Sequence, residues 1–548
     1  MTWYILPYIV ACMYVESNRL QRHGKTYRTV TVRESFRQDG KVRHRTVANL
    51  TDLPQHAIDA VQQALRLGQA PTPASLPQVG SSREYGASFA LLSILRQLGL
   101  DQLIYSRREP WREDILALIV GRIVFQGSKL ALTGVYKDSA LWELCGHPAG
   151  RRPEVEKHAY LPMDRLLERQ ESIQKQLAKR HLKDGCLIYY DMTSSYAEGE
   201  YEDSELVAYG HNRDGKRGHE QIAIGLLTTA GGCPVAVRVF RGNTADQTTV
   251  LEQAQTICDE YGVQDVVFVG DRGMLTPRRI EELHALGYKT LTALTHPQMR
   301  ELLQRRVVQL ELFNEQECVS VVDPQVPGLC YVLHKNPDRA QRDCATRRSL
   351  IEKTTVALDK LVRSRRLTQD KLAGNVGVVL AKYHTGKFVQ WSVESGRLVW
   401  KLKQELIEQE EAMDGCYIIR NEVPSLNASE ARGCYKALIH VEQAFRNLKT
   451  VSLEIRPFHH HLDDRIKAHV FLCMLAYYVQ WQARQMLEPL FAADGHGKNR
   501  QWTWERVIER LKGIRIQTLY VAATQIPNAI SRPDEDQQRI LELLKVKL

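Results

Sequence analysis

From residue 184 onward the chain reads as an α/β fold, interrupted by one inserted domain and preceded by a basic hairpin and a helical region. Three observations predict this. Short β-branched or aromatic runs alternate with segments of helical spacing. Two of the runs lead straight into an aspartate: Cys186-Leu187-Ile188-Tyr189-Tyr190 into Asp191, and Val266-Val267-Phe268-Val269-Gly270 into Asp271. Finally, 80 residues separate these two acids, whereas 171 separate Asp271 from Glu442, which lies in the helical run Tyr435–Lys449. A continuous core does not need so long a stretch to reach its next helix, so an inserted domain is expected there.

Taken in order, the first dozen residues are uncharged and apolar, too short to span a bilayer and without the basic start of a signal peptide. Met13 opens a more conventional beginning, and residues 1–12 are read as a misassigned start. Residues 26–50 alternate as a hairpin about Asp39-Gly40, made basic by Arg28, Arg33, Arg37, Lys41, Arg43 and Arg45. The proline-rich stretch 70–77 is a linker. Residues 87–180 carry helical Leu/Ile spacing, with basic pairs at Arg107-Arg108 and Arg151-Arg152. The α/β part predicts a hairpin of 222–228 with 235–240 across Ala230-Gly231-Gly232, and a helix over 245–261. After the Asp271 strand come a helix starting at Pro277 and a strand over 290–294. The expected domains are hairpin and linker (1–80), helical region (81–183), core (184–296 and 431–485), insertion (297–430) and a helical tail (486–548). The insertion combines a basic helical section, Arg339 to Arg366, with strand-like runs at 387–393 and 397–401.

Lys and Arg number 74 against 64 Asp and Glu, a net charge of +10 that suits a polyanionic partner without requiring one. The 11 cysteines form no C-x-x-C pair, which argues against a zinc ribbon and fits a reducing cytoplasm. No later run reaches membrane-spanning length; the longest, Val470–Tyr478, reads as a core helix, so no membrane partner is expected.

An acid just past a buried strand sits at the edge of an α/β sheet where ligands and metals gather. Three carboxylates within about 6 Å of one another repel by roughly 2–3 kcal/mol per pair at an effective dielectric near 20. Cations between them relieve that repulsion, and hard oxygen ligands select Mg²⁺ or Mn²⁺. On the third acid's helix, at about 100° per residue, Leu438, Val441, Phe445 and Leu448 make an apolar stripe. Tyr435, Glu442 and Lys449 share its edge, with Arg446 one turn beyond Glu442. A carboxylate flanked by a phenol and two cations can hold a metal while its neighbours grip phosphate. The plainer alternative is a solvated helix edge with a Glu442–Arg446 pair. Asp246 is read with Thr244 as a helix cap, Asp214-Gly215 as a solvated turn, and His459-His460-His461 as a loop, since three successive residues diverge.

Tyr435-x₆-Glu442-x₆-Lys449, followed by Leu453-Glu454-Ile455-Arg456-Pro457, resembles the tyrosine–arginine–glutamate–lysine signature of bacterial insertion-sequence DDE transposases. Tyr190-Asp191-Met192-Thr193-Ser194, Gly242-Asn243-Thr244-Ala245-Asp246-Gln247-Thr248 and Asp271-Arg272-Gly273-Met274 extend the resemblance over about 184–480. It is closest to the branch that inserts a β-rich domain into a ribonuclease H-like core. The resemblance implies that Asp191, Asp271 and Glu442 are catalytic and hold two Mg²⁺ or Mn²⁺ ions. It implies that Tyr435 and Lys449 contact DNA near the cut, with Arg446 beside them. In relatives that form hairpin ends an insert tryptophan stacks on a flipped base; Trp391 is the candidate, Trp400 an equal one, and core packing the default for both. One departure stands out: the signature's arginine is Leu438. The implied activity is cut-and-paste transposition, with terminal inverted repeats and target DNA as partners and recognition from the basic region before 180. The alternative is a domesticated or non-transposing DNA-binding protein or nuclease on the same core. Two DNA ends imply a homodimer; the tail stripe Ile540, Leu544 and Leu548 either supports it or packs on its own core.

Overall fold

A computed structural model describes the chain except for residues 1–11, 23–24, 39–40, 68–77, 212–217, 264, 315, 364–367, 395, 452–454, 456–457, 495–499 and 522–523. Residues 1–11 of the apolar opening stretch, the Asp39-Gly40 turn, the linker and the Asp214-Gly215 turn therefore lie outside the described residues. The strands, in chain order, are β1 (Cys12–Arg22), β2 (Lys25–Gln38), β3 (Lys41–Asn49), β4 (Gln78–Glu84), β5 (Leu187–Tyr196), β6 (Gln221–Thr229), β7 (Pro234–Arg241) and β8 (Val267–Val269). There follow β9 (Lys289–Ala293), β10 (Val319–Val322), β11 (Cys330–Lys335), β12 (Val389–Glu394), β13 (Arg397–Leu402), β14 (Cys416–Asn421), β15 (Arg515–Val521) and β16 (Thr524–Ile530). The chain divides into two compact units, residues 1–83 with 515–532, and residues 84–514 with 533–548.

In the smaller unit, β1, β2 and β3 form an antiparallel sheet. Val30 and Val32 of β2 bury with Leu50 and with Ile58 of the helix Gln55–Leu67. All of β3 is exposed, so Lys41, Arg43 and Arg45 stand on one face of an outer strand. A second sheet has the order β16-β15-β4. The tail expected to be helical thus carries two strands. Ile516, Thr518, Tyr520 and Val521 are β-branched or aromatic, and their pairing with β16 and β4 overrides the helical pattern on either side.

The larger unit has a mixed α/β architecture. Helices fill 86–181, and one of them, Pro110–Phe125, is buried from Trp111 through Val124. The helix Asp463–Met486 packs on it, and its Val470–Val479 stretch is buried, as a core helix should be. No single helix among the described residues is long and apolar enough to cross a membrane. Of the tail stripe, Ile540 and Leu544 are 0% and 1% exposed and pack within the chain's own core, while Leu548 is 40% exposed.

The main sheet has eight strands in the order β10-β11-β14-β9-β8-β5-β6-β7. β5–β8 and β8–β9 pair parallel; the other neighbours are antiparallel. Ile188, Tyr190 and Phe268 of the sheet share a core with Ala178, Val250, Ala254, Ile280 and Leu283 of the helices Gln170–His181, Asp246–Thr256 and Pro277–Ala285. Gly225 on β6 makes this possible locally. A Cβ there would lie 2.3 Å from the Tyr190 hydroxyl, which instead reaches Thr249 Oγ1 at 3.0 Å. Within 297–430, β10, β11 and β14 extend the main sheet, while the excursion between β11 and β14 carries the hairpin β12–β13 and a small core of its own around Leu358, Leu372, Val376 and Leu398.

Candidate active site

β5 does not end at Asp191 but continues to Tyr196, because β6 pairs along it and sets Asp191 opposite Leu226. Its parallel partner does end. The last rung between β5 and β8 joins Tyr189 to Val269, so Asp191 and Asp271 each lie two residues past it, in step on neighbouring parallel strands. The next turn fixes Asp271: its Oδ1 accepts the N–H groups of Gly273 at 2.8 Å and Met274 at 2.9 Å. Asp191 Oδ1 accepts the Met192 N–H at 2.7 Å.

Glu442 comes from the helix Leu438–Arg446, which buries Val441, Ala444 and Phe445 and leaves Glu442 exposed. Tyr435 belongs to a separate helix, Ala428–Lys436, opened by a capping box of Asn427 and Glu430. The buried Tyr189 hydroxyl donates to the Cys434 carbonyl at 2.7 Å and ties that helix to β5. The run 435–449 is therefore not one helix. It breaks at Ala437, and after Arg446 it widens into a π-turn, Asn447–Val451. A constant helical phase cannot be carried through such a turn. Lys449 consequently is only 8% exposed and has a partner within the chain, whereas Arg446 is exposed.

Asp191, Asp271 and Glu442 line one cleft of about 600 Å³ together with Tyr435 and the half-buried Leu438. Arg272, His296, Arg339 and Lys436 join them there. Of these, Arg272 was legible in the Asp271 motif and Arg339 in the basic run, while His296 had no sequence signal. Burial first, then the Asp271 and Glu442 carboxylates, push the Tyr435 hydroxyl up to about 12 against the opposing pull of Arg272. It remains a protonated donor at neutral pH. His296 is held below the usual imidazole range by burial, then by Arg272, Arg300 and Lys387, with Asp343 pulling the other way. Arg339 donates to Asp343 at 3.1 Å.

Trp391 is not brought to this cleft. It faces Trp400 across β12–β13 and is 37% exposed, while Trp400 packs on the small core of the excursion. The three histidines diverge: His461 stacks on Tyr201, and His460 lies edge-on to Tyr160. Asp246 opens its helix without a side-chain cap, the N-cap being Ala245. Besides Asp191, Asp271 and Glu442 the cleft is lined by Asp343, which pairs with Arg339, and by buried Cys416, whose Sγ turns to the Ala412 carbonyl. The three remaining carboxylates are hard oxygen donors that fit a divalent cation.

A family profile described as transposase DDE domain matches residues 183–479, more than half of the chain. A second, the N-terminal domain of the IS1634 family transposase, matches residues 17–71. No curated protein matches the chain in sequence. Among solved structures, a piggyBac transposase synaptic complex with hairpin DNA aligns at a TM-score of 0.35 and 9% identity, over 78% of this chain and 75% of that one.

Proposed function

The chain belongs to the DDE transposase family and is a DNA transposase, and from that premise we propose that Asp191, Asp271 and Glu442 are the acids that drive cut-and-paste transposition. The carrying observation is that three acids spread over 251 residues of sequence line a single cleft, two of them in step past the last parallel rung. The order β7-β6-β5-β8-β9, an antiparallel meander whose first strand begins a parallel run, supports a ribonuclease H-like core over 184–296 and 431–485. The insertion at 297–430 then lends strands to the same sheet.

Asp191, Asp271 and Glu442 would hold two Mg²⁺ or Mn²⁺ ions, which when bound supply acidity to an attacking hydroxyl and stabilise the leaving 3′-oxygen. Tyr435 donates a hydrogen bond from its protonated hydroxyl to phosphate. Arg272, Arg339 and Lys436 offset phosphate charge at the cleft, and Lys436 with Arg272 takes over from the arginine that Leu438 replaces. Arg446, exposed beyond Glu442, and Lys449, 8% exposed on the π-turn, contact DNA near the cut. The basic, exposed β3 and the helical region read terminal inverted repeats through residues 13–180, with salt-dependent backbone contacts. Joining two ends requires a twofold pair of protomers. Cysteines from Cys145 to Cys473 are joined in no disulfide among the described residues, which suits action in a reducing cytoplasm on nucleoid DNA.

The test is a donor plasmid carrying the element's own ends around a marker, incubated with purified protein and Mg²⁺. The expected products are 3′ nicks at both ends, release of the segment and its joining to a target plasmid. End binding with no end-specific cleavage in Mg²⁺ or Mn²⁺ would reduce the protein to a DNA-binding one.

A further inference from the structure

Away from the cleft, the helical region brings Asp114, His147 and His158 together, with one ligand atom of each within 4.8 Å of the others. Asp114 belongs to the buried helix Pro110–Phe125, His147 follows the short helix Leu141–Leu144, and His158 sits in the π-turn Glu156–Tyr160. Asp114 Oδ1 lies 2.6 Å from His147 Nε2, and Oδ2 lies 3.3 Å from His158 Nδ1. The two imidazoles meet edge to face at 4.7 Å, and Trp142, 4.9 Å from the His147 ring, fixes its orientation.

The charge balance is what makes this cluster unusual. Glu113, next in sequence, is paired with Arg96, Arg108 and Arg112. Asp114, only 3% exposed, has as ion-pair partners among the described residues the two imidazoles. A buried carboxylate is stabilised by a fixed opposite charge, which an imidazole supplies only while it is protonated. A divalent cation provides that charge. Two imidazoles and one carboxylate form a donor set for Zn²⁺ or a neighbouring transition ion, unlike the Asp191, Asp271 and Glu442 set of the cleft, which suits Mg²⁺. A cavity of about 450 Å³ opens beside the three side chains, past Arg108 and Cys145, giving an entry path and room for a further ligand. Zn²⁺ ligands at about 2.0–2.2 Å from the ion stand roughly 3.3 Å from one another. The Asp114 Oδ2–His158 Nδ1 distance matches, the Asp114 Oδ1–His147 Nε2 distance is shorter, and with the three ligand atoms all within 4.8 Å of one another small side-chain rotations close them on one ion.

We propose that Asp114, His147 and His158 bind one Zn²⁺ ion, which pins the connection 145–155 to the helix Pro110–Phe125. The role is structural and independent of the cleavage reading.

The test uses full-length protein carrying Asp191→Asn and Asp271→Asn, so that the carboxylate cleft contributes no signal, stripped with chelator and titrated with Co²⁺ and then Zn²⁺. One equivalent of Co²⁺ should bind with a visible absorption band, Zn²⁺ should displace it, and excess Mg²⁺ should not. His147→Ala with His158→Ala should weaken binding by at least about 100-fold. The milder His158→Gln should lower affinity while leaving the metal-free far-ultraviolet spectrum unchanged. Binding unaltered in these variants overturns the proposal. So does absence of one-to-one Co²⁺ binding by the folded parent, whether or not the alanine variants fold, and the cluster is then a hydrogen-bonded network alone.

Discussion

Two sets of carboxylates in the larger unit stand in opposite circumstances. Glu84, 4% exposed, has both oxygens occupied: Oε1 accepts the N–H groups of Ala87 and Ser88 at 2.9 and 3.1 Å, and Oε2 accepts the Ser88 and Ser139 hydroxyls at 2.6 and 2.7 Å. Glu113 is likewise buried among arginines. In the cleft, by contrast, Asp271 and Glu442 are exposed and share one open space with Asp191. Glu84 gains stability from every bond it accepts. The cleft acids share their space with Arg272, Arg339 and Lys436, and a divalent cation bound among them would further offset their mutual repulsion. Saturated burial marks an acid that holds the fold; exposure in a shared cleft is what the proposed catalytic role predicts of Asp271 and Glu442.

The largest expected effect follows from that contrast. Asp191→Asn, Asp271→Asn and Glu442→Gln should each lower end cleavage by on the order of 10³-fold or more, since each removes a ligand for charge stabilisation worth several kcal/mol. End binding and melting temperature should hold, or rise slightly as repulsion is relieved. Glu84→Gln should do the reverse. It surrenders charge-assisted bonds and costs roughly 2 kcal/mol, so the melting temperature falls while cleavage per folded molecule is retained. Thermal melts beside cleavage assays on all four variants decide the matter. A triad variant that melts early but cleaves normally, or a Glu84 variant that is stable but inactive, breaks the comparison.

What the sequence made legible was local. The runs before Asp191 and Asp271, the β6–β7 hairpin and the helix bearing Glu442 all follow from periodicity, because each buries a face that its own pattern defines. What it hid was set by distant partners. β5 passes through Asp191 because β6 pairs with it, and the tail strands exist because β15 meets β4 from the far end of the chain. The π-turn that buries Lys449 has no signature that separates it from an ordinary helix. Asp114, His147 and His158 share no metal-ligand spacing; only the packing of three helical segments brings them together.

A middle-sized effect sharpens the contrast at the rim of the cleft. Lys436 is exposed two residues before Leu438, across the helix break at Ala437, and Leu438 lacks the cation of the signature. If Lys436 supplies that charge, Lys436→Ala should weaken DNA binding by about tenfold near 0.1 M salt and reduce the log–log salt slope by about 0.9. An unchanged slope would place Lys436 off the phosphate backbone and leave Arg272 as the substitute.

The smallest effect belongs to Tyr435. Its hydroxyl, pushed up to about 12 by burial and by the nearby Asp271 and Glu442, stays protonated across the working range, so it can donate to phosphate but cannot act as a base. Tyr435→Phe removes one hydrogen bond of roughly 1 kcal/mol, and cleavage should fall about fivefold with the salt slope of binding unaltered. The pH dependence gives the sign. A tyrosine whose folded pKa is raised contributes stability that is complete below its ordinary value near 10 and is lost as pH rises toward about 12. Between pH 7 and pH 9 the ratio of wild-type to Phe-variant cleavage should therefore be constant. A ratio that climbs with pH across this window would show the phenolate forming and taking a proton, and Tyr435 would then belong with the reacting groups rather than with those that grip the DNA.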